Sequence, residues 1–201
     1  MTTEATDAAV SERRGEILAL AAELFAARGF ATTTVREIAD AAGILSGSLY
    51  HHFDSKESMV DELLRGLLDE ITAAYRATVA SGDEPVTVLR ALVREAFGAL
   101  GSHRAAVAVM LNEFNVLVQQ PRFAYLWEAA EETEQLWVSV LEKGVRRGAF
   151  RSDLDPRMTY RFMRDAIWVS VRWYRPDGAI APEHLADQYF DVLLGGIAAR
   201  S

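Results

Sequence analysis

Between Ser46 and His51 the chain sets out groups suited to a polyanion while carrying almost no charge of its own. Ser46, Gly47 and Ser48 offer two hydroxyls and a bare backbone. At the first turn of a helix these are the groups that meet base edges in a major groove. Tyr50 and His51, with Thr33 and Thr34 upstream and Lys56 downstream, are donors placed for phosphates, which fix register without reading sequence. His51 and His52 are adjacent and point in different directions on a helix, so they do not share a metal. A second set lies over a hundred residues later. Arg161, Arg164, Trp168, Arg172 and Arg175 fall within about an 80° stripe of one helix at 100° per residue, and Lys143–Arg175 holds nine basic against three acidic residues. Arg164 and Trp168, one turn apart, present a cation and an aromatic face to an anionic ligand. The stripe is equally suited to ion pairs with the acidic run Glu128, Glu131, Glu132 and Glu134, and both readings stand at this point. The acid–base candidates His103, Glu113 and His184 fall on separate helices with no nucleophile or oxyanion motif, so the chain does not read as an enzyme.

The elements that must position these groups are legible. Thr34 and Glu37 form a capping box. Val35, Ile38, Ala39 and Ala42 follow at i, i+3, i+4 and i+7, the stripe of a two-turn helix. Gly43 marks its end, where a left-handed backbone is favoured. Ser46 is an N-cap for a second helix carrying Gly47 to His52, and Asp54 with Glu57 supplies a further capping box. Helix, glycine turn and helix make a helix-turn-helix. Ahead of it, Ser11 caps a helix with Ile17, Leu20, Ala21, Leu24 and Phe25 on one face. After it, Met59, Val60, Leu63, Leu64, Leu67, Leu68, Ile71 and Tyr75 make a long amphipathic helix to about Ala80, the mechanical link between the two halves of the chain.

The remainder is helical over roughly 88–100, 103–119, 122–147, 157–174 and 183–199, broken at Pro85, Gly101, Pro121, Gly148 and Pro176. No segment alternates with period two. The spacing therefore predicts an all-α chain of about nine helices: a mobile tail over 1–9, a three-helix helix-turn-helix domain over 10–55, and a larger helical domain for ligand binding and dimerisation over 56–201. The helix over 157–174 is apolar on every side except the arginine stripe, which predicts that it is largely buried.

With 201 residues, half of them hydrophobic, the chain has ample core. It shows no apolar run of the ~18 residues that a membrane span needs, so no membrane partner is expected. Zero cysteines exclude a disulfide scaffold and a thiolate metal site. The first residues lack a basic region followed by an apolar core, and the chain reads as cytoplasmic. Net charge is −8, where a nucleic-acid binder is expected to show a basic face. Residues 1–60 hold nine acidic and five basic residues. Arg13, Arg14, Arg36 and Lys56 flank helix ends near the motif, and helix N-termini supply further donors to phosphate. Modest, salt-sensitive affinity is expected unless dimerisation adds avidity.

The run Gly43-Ile44-Leu45-Ser46-Gly47-Ser48-Leu49-Tyr50-His51-His52-Phe53-Asp54-Ser55-Lys56 resembles the recognition segment of the TetR family of bacterial repressors. The resemblance implies an all-α homodimer that binds a double-stranded operator with Thr33, Thr34, Ser46, Gly47, Ser48, Tyr50, His51 and Lys56 at the usual contact positions. It also implies a dimer interface built from the helix over 157–174 and the last helix, which carries Leu185, Tyr189, Val192, Leu193, Ile197 and the pair Gly195-Gly196. Leu45–Tyr50, Gln120–Phe123 and Trp168–Pro176 are in turn similar to one subgroup of that family, which includes an actinobacterial repressor of genes for degrading the last two steroid rings. That similarity implies no bound cofactor and an acyl-coenzyme A effector, hexahydroindanedione propanoyl-coenzyme A. Arg161, Arg164 and Arg172 would suit its phosphates, and Phe97, Met110, Phe114, Trp127 and Trp168 its fused rings. Another acyl-coenzyme A, a lipid or a xenobiotic remains the alternative effector.

Overall fold

A computed structural model describes residues 2–198, with side chains from residue 11 onward. Its helices are α1 (Thr2–Arg28), α2 (Val35–Ala41), α3 (Ser46–Leu49), α4 (Lys56–Ala80), α5 (Pro85–Ser102), α6 (Arg104–Leu117), α7 (Tyr125–Arg146), α8 (Pro156–Val169) and α9 (Pro182–Ile197), with single 3₁₀ turns at Pro121–Phe123 and Ser170–Arg172. Among the described residues the only β pairing is an isolated bridge between Phe150 and Ala198. Among the described residues the all-helical expectation of about nine helices holds.

The capping box at α2 forms as read. The Thr34 hydroxyl accepts from the Glu37 backbone N–H at 3.2 Å while Glu37 accepts from the Thr34 N–H at 2.8 Å. The Thr34 donors, together with Arg28, hold the Glu37 carboxyl below its ordinary pKa. Gly43 turns the chain with φ +66°, the left-handed region that a side chain rarely adopts.

Elsewhere the boundaries differ for identifiable reasons. Helix α1 begins at Thr2, so residues 2–9 are helical where a tail is expected and Ser11 lies within the helix instead of capping it. Helix α3 is a single turn. Leu45 is its N-cap, without a side-chain hydrogen bond, and Ser46 is its first residue; Tyr50 to His52 follow as turns. The α4 box is built by Ser55 and Ser58, which exchange backbone-to-hydroxyl bonds of 3.1 Å, one residue later than the expected Asp54–Glu57 pair. Both pairs have capping chemistry at spacing three, and only backbone geometry separates them. Met1 and the expected last helical residue, Ala199, lie outside the described residues.

The apolar side chains sort into two clusters. One unites Ile17, Phe25, Phe30, Ile38, Leu49 and Phe53 of the helix-turn-helix with Val109, Leu117, Phe123 and Leu126 from beyond it. The other gathers α5, α7, α8 and α9 around Leu89, Phe97, Trp137, Leu141, Ile167 and Phe190. Helix α4 belongs to both, giving Met59, Val60 and Leu64 to the first and Leu67, Ile71 and Tyr75 to the second. At 1.5 Å per residue its span from Lys56 to Tyr75 is about 28 Å.

Gly144 in α7 lets Phe150 lie flat against the helix backbone: a Cβ there would sit 2.1 Å from the ring. Gly144→Ala is accordingly expected to destabilise by about 1–3 kcal/mol through overpacking, read as a fall in Tm by thermal denaturation.

Candidate nucleic-acid interface and ligand cleft

Leu49 and Phe53 are buried and anchor α3 and the following turn against α1, α2 and α4. This anchoring leaves Leu45, Gly47, Tyr50 and His51 exposed and Ser46 and Ser48 half-buried on one outer surface. Tyr50 is 56 % exposed, so it lies on the surface and not in the core. Leu45 is 80 % exposed at the very start of α3. In the sequence it stands within the runs Gly43–Lys56 and Leu45–Tyr50 and has no contact role assigned to it. An apolar side chain at this place offers contact to a thymine methyl group. The signal available was its position directly before the two serines.

Three expected phosphate contacts serve the scaffold instead. Thr33 is only 1 % exposed, and its hydroxyl donates to the Gly29 carbonyl at 2.8 Å. Thr34 is engaged in its capping box. Lys56 directs its ammonium to the carbonyls of Phe30, Thr33 and Ala31 at 2.6, 2.9 and 3.4 Å, over the Phe30 ring. It therefore clamps the 30–33 loop to the start of α4. The arginines are engaged too: Arg13 with Glu16 and the Ala42 carbonyl, Arg14 with Glu62 and the His52 carbonyl, Arg28 with Glu37. Arg36 is the loosest, 3.9 Å from Asp40. The surface thus presents hydroxyls, an imidazole and one aliphatic side chain more than free cations.

Helices α4, α5, α7 and α8 line a cleft of about 220 Å³, counting the open solvent at its mouth. It is lined by Tyr75, Ala96, Thr133, Trp137, Tyr160, Arg164, Ile167 and Trp168. Tyr160, Arg164, Ile167 and Trp168 occupy i, i+4, i+7 and i+8 of α8, so one helix face forms a whole wall. Burial raises the Tyr75 phenol well above its ordinary pKa and pushes Tyr160 up to about 12, against the pull of Arg164. Both therefore remain neutral donors at physiological pH. Arg164 pairs with its neighbour Asp165 at 2.8 Å and is 41 % exposed.

The structure brings together only two of the expected ligand residues, Arg164 and Trp168, in this cleft. Phe97 is buried behind it, edge-on to Tyr189 at 5.4 Å. Met110, Phe114 and Trp127 stand apart, packing on or beside the helix-turn-helix cluster, with Phe114 edge-on to Trp127 at 5.0 Å. Arg161 and Arg172 are exposed on the outer side of α8 and the turn after it. Tyr75, Trp137 and Tyr160 were missed because each sits at an ordinary core position of its helix. The one signal was a hydroxyl or indole N–H on an otherwise aliphatic stripe. The acidic run does not neutralise the arginine stripe: Glu132 pairs with Arg76 at 2.5 Å and Glu134 with Arg157 at 3.2 Å.

Helix α8 is not largely buried. Tyr160, Met163 and Ile167 face inward, while Met158, Phe162, Ala166 and Val169, at i, i+4, i+8 and i+11, form an exposed apolar stripe continued by Trp173. Helix α9 adds Val192 at 79 % exposure, with Gly195 and Gly196 beside it. The three acid–base candidates are scattered: His103 pairs with Glu70 at 2.9 Å, Glu113 accepts from the Phe30 N–H at 3.0 Å, and His184 is exposed on α9. No helix among the described residues is long and apolar enough to cross a membrane.

Comparison with known proteins agrees with this architecture. Residues 17–63 match the model for bacterial regulatory proteins of the tetR family, and residues 82–197 match the tetracyclin repressor-like C-terminal domain. The chain is 53 % identical over 189 residues to the HTH-type transcriptional repressor KstR2 of Rhodococcus jostii (strain RHA1), covering 94 % of this chain and 93 % of that one. It is 52 % identical over 188 residues to KstR2 of Mycobacterium tuberculosis, covering 94 % of each. A solved structure of the ketosteroid transcriptional regulator KstR2 of Mycobacterium tuberculosis superposes with a TM-score of 0.91 at 51 % identity, covering 94 % of this chain and 96 % of that one.

Proposed function

The chain belongs to the TetR family of transcriptional repressors, and on that premise we infer that it represses steroid-catabolic genes as a cytoplasmic homodimer, leaving a palindromic operator when an acyl-coenzyme A binds the α4–α5–α7–α8 cleft. The observation that carries this reading is the course of α4. One end closes the helix-turn-helix through Lys56, Met59 and Val60, and the other places Tyr75 in the cleft wall. A ligand that spreads the cleft tilts α4 and changes the separation of the two α3 segments, which must match a turn of DNA. Helix α6 supplies a second link, because Glu113 holds the Phe30 N–H at the α1–α2 turn.

A steroid-derived effector is supported by similarity over nearly the whole chain, at 51–53 % identity, to KstR2, in one solved structure called a ketosteroid transcriptional regulator, and by the chemistry of the cleft. Aromatic walls suit a fused-ring acyl group, and Arg164 at the cleft, with Arg161 and Arg172 exposed nearby along the chain, suits coenzyme A phosphates. Hexahydroindanedione propanoyl-coenzyme A is the specific effector proposed, and another bulky acyl thioester is the second reading. With about 10 Å³ of enclosed space, room for about one water, the cleft is far smaller than an ordinary ligand pocket. Opening on binding is thus part of the mechanism. The dimer is proposed to form through the exposed stripes of α8 and α9. Selection from a random duplex pool tests the reading: it should return a palindrome that the thioester then releases, whereas enrichment of no sequence would refute it.

DNA contacts are assigned to Leu45, Ser46, Gly47, Ser48, Tyr50 and His51. Leu45→Ala is expected to reduce operator affinity by about 1–3 kcal/mol through lost apolar burial at one base position per half-site, and Tyr50→Ala to weaken binding to all sequences alike. Fluorescence anisotropy on matched and mismatched duplexes separates the two effects.

A further inference from the structure

Trp137 lines the cleft and is 3 % exposed. Its indole nitrogen, a donor with no acceptor capacity, is buried and has no hydrogen-bond partner among the described residues. The Tyr75 hydroxyl lies near enough for the indole N–H to oppose the burial-driven rise in the phenol pKa, yet the two do not meet as a hydrogen bond. Their rings stand edge-on, 5.5 Å apart at 89°. On the other side Tyr160 tilts against the same indole at 6.1 Å. Ala96 and Ile167 add apolar surface, and Trp168 adds only another donor.

A buried N–H without an acceptor costs free energy, and in a native structure it calls for a partner such as a water, an ion or a ligand. The nature of that partner is constrained by its surroundings. Arg164 is turned toward Asp165, with its guanidinium 5.8 Å from the Tyr160 ring, and it is substantially exposed. The ligand's charge therefore belongs at the mouth. Deeper in, the neighbours of Trp137 are neutral phenols, the Thr133 hydroxyl and hydrocarbon, where a carboxylate would be poorly solvated. The group that fits is a neutral oxygen on an apolar ring.

The geometry points to Trp137 Nε1 as the donor that recognises a ring carbonyl on the buried cyclic part of the ligand. This assignment rests on the reading of the cleft as the effector site. It makes Trp137 a specificity residue: a ring bearing methylene at that place leaves the N–H orphaned and is rejected, as sites built around a polar group reject analogues that lack its partner.

The test uses two coenzyme A thioesters of one bicyclic propanoic acid, one with a ring ketone and one with methylene there, titrated by calorimetry into the wild-type dimer and into Trp137→Phe. Wild type is expected to prefer the ketone by about 10- to 100-fold. In Trp137→Phe the preference should narrow to under about threefold, through loss of ketone affinity. With ¹⁵N-labelled tryptophan, the ketone should move the indole resonance that Trp137→Phe lacks, and the methylene compound should leave it in place. Should the variant fail to fold, the wild-type preference decides alone. Tight and equal binding of both thioesters to wild type, or undiminished discrimination by the variant, overturns the assignment while leaving the cleft as the effector site. Binding of neither thioester overturns both.

Discussion

Replacing Phe162 by Glu is expected to convert the dimer to monomer and to lower operator affinity by about 10²–10⁴-fold, the range that linking two sites contributes. Phe162 is 68 % exposed on α8, within the stripe Met158, Phe162, Ala166 and Val169. In the isolated fold a glutamate there points to water and costs little. In a two-fold interface the same substitution appears twice, and each copy buries an unpaired carboxylate. Val192→Glu on α9 is expected to act in the same direction. Sedimentation equilibrium gives the mass, and anisotropy with one- and two-half-site duplexes gives the affinities. The variant should bind a single half-site as wild type does. A Phe162→Glu protein that remains dimeric would place the interface elsewhere.

The second large effect is on the response and not on DNA. Arg164→Ala and Trp168→Ala are expected to bind operator with wild-type affinity and to require at least 10- to 100-fold more thioester for release. The loss of a hydrogen bond to a charged group, about 1.5–3 kcal/mol, sets that scale for Arg164. The arginine is a clean target because its existing interactions are weak ones: a pair with Asp165, itself largely exposed, and a distant approach to Tyr160. Exposed pairs of this kind contribute little to stability. Trp168 forms part of the cleft wall and is half-buried, so its truncation removes aromatic contact with the acyl group. Loss of operator binding by either variant would instead assign the α8 face to folding or dimerisation.

The fold was largely legible because helical periodicity and caps are local. Thr34–Glu37, Gly43 and the stripe from Met59 to Tyr75 each fix their element from residues within a few positions. What sequence could not separate were equivalent local choices, such as Ser55–Ser58 against Asp54–Glu57. Nor could it show that Thr33 and Lys56 spend their polar groups on carbonyls brought near by the chain turn at 29–33. The apolar sides of α8 read as burial because helical periodicity does not say which apolar face packs within the chain, and Met158, Phe162 and Val169 remain exposed. At the cleft, Arg164 and Trp168 were visible as an arginine–aromatic pair one turn apart. Tyr75, Trp137 and Tyr160 were not, since they come from three helices that only packing brings together.

An acyl-coenzyme A, and not the acid it derives from, is expected to free the operator. The direct measurement is anisotropy of a labelled palindromic duplex, saturated with the dimer at fixed salt and titrated with the steroid-derived thioester and separately with its free acid. Full release by the thioester near stoichiometry with cleft sites is expected, with no release by the acid at the same concentrations and a thioester curve shifted at least tenfold in Arg164→Ala. Equal release by acid and thioester, or an operator complex that withstands both, would contradict this mechanism.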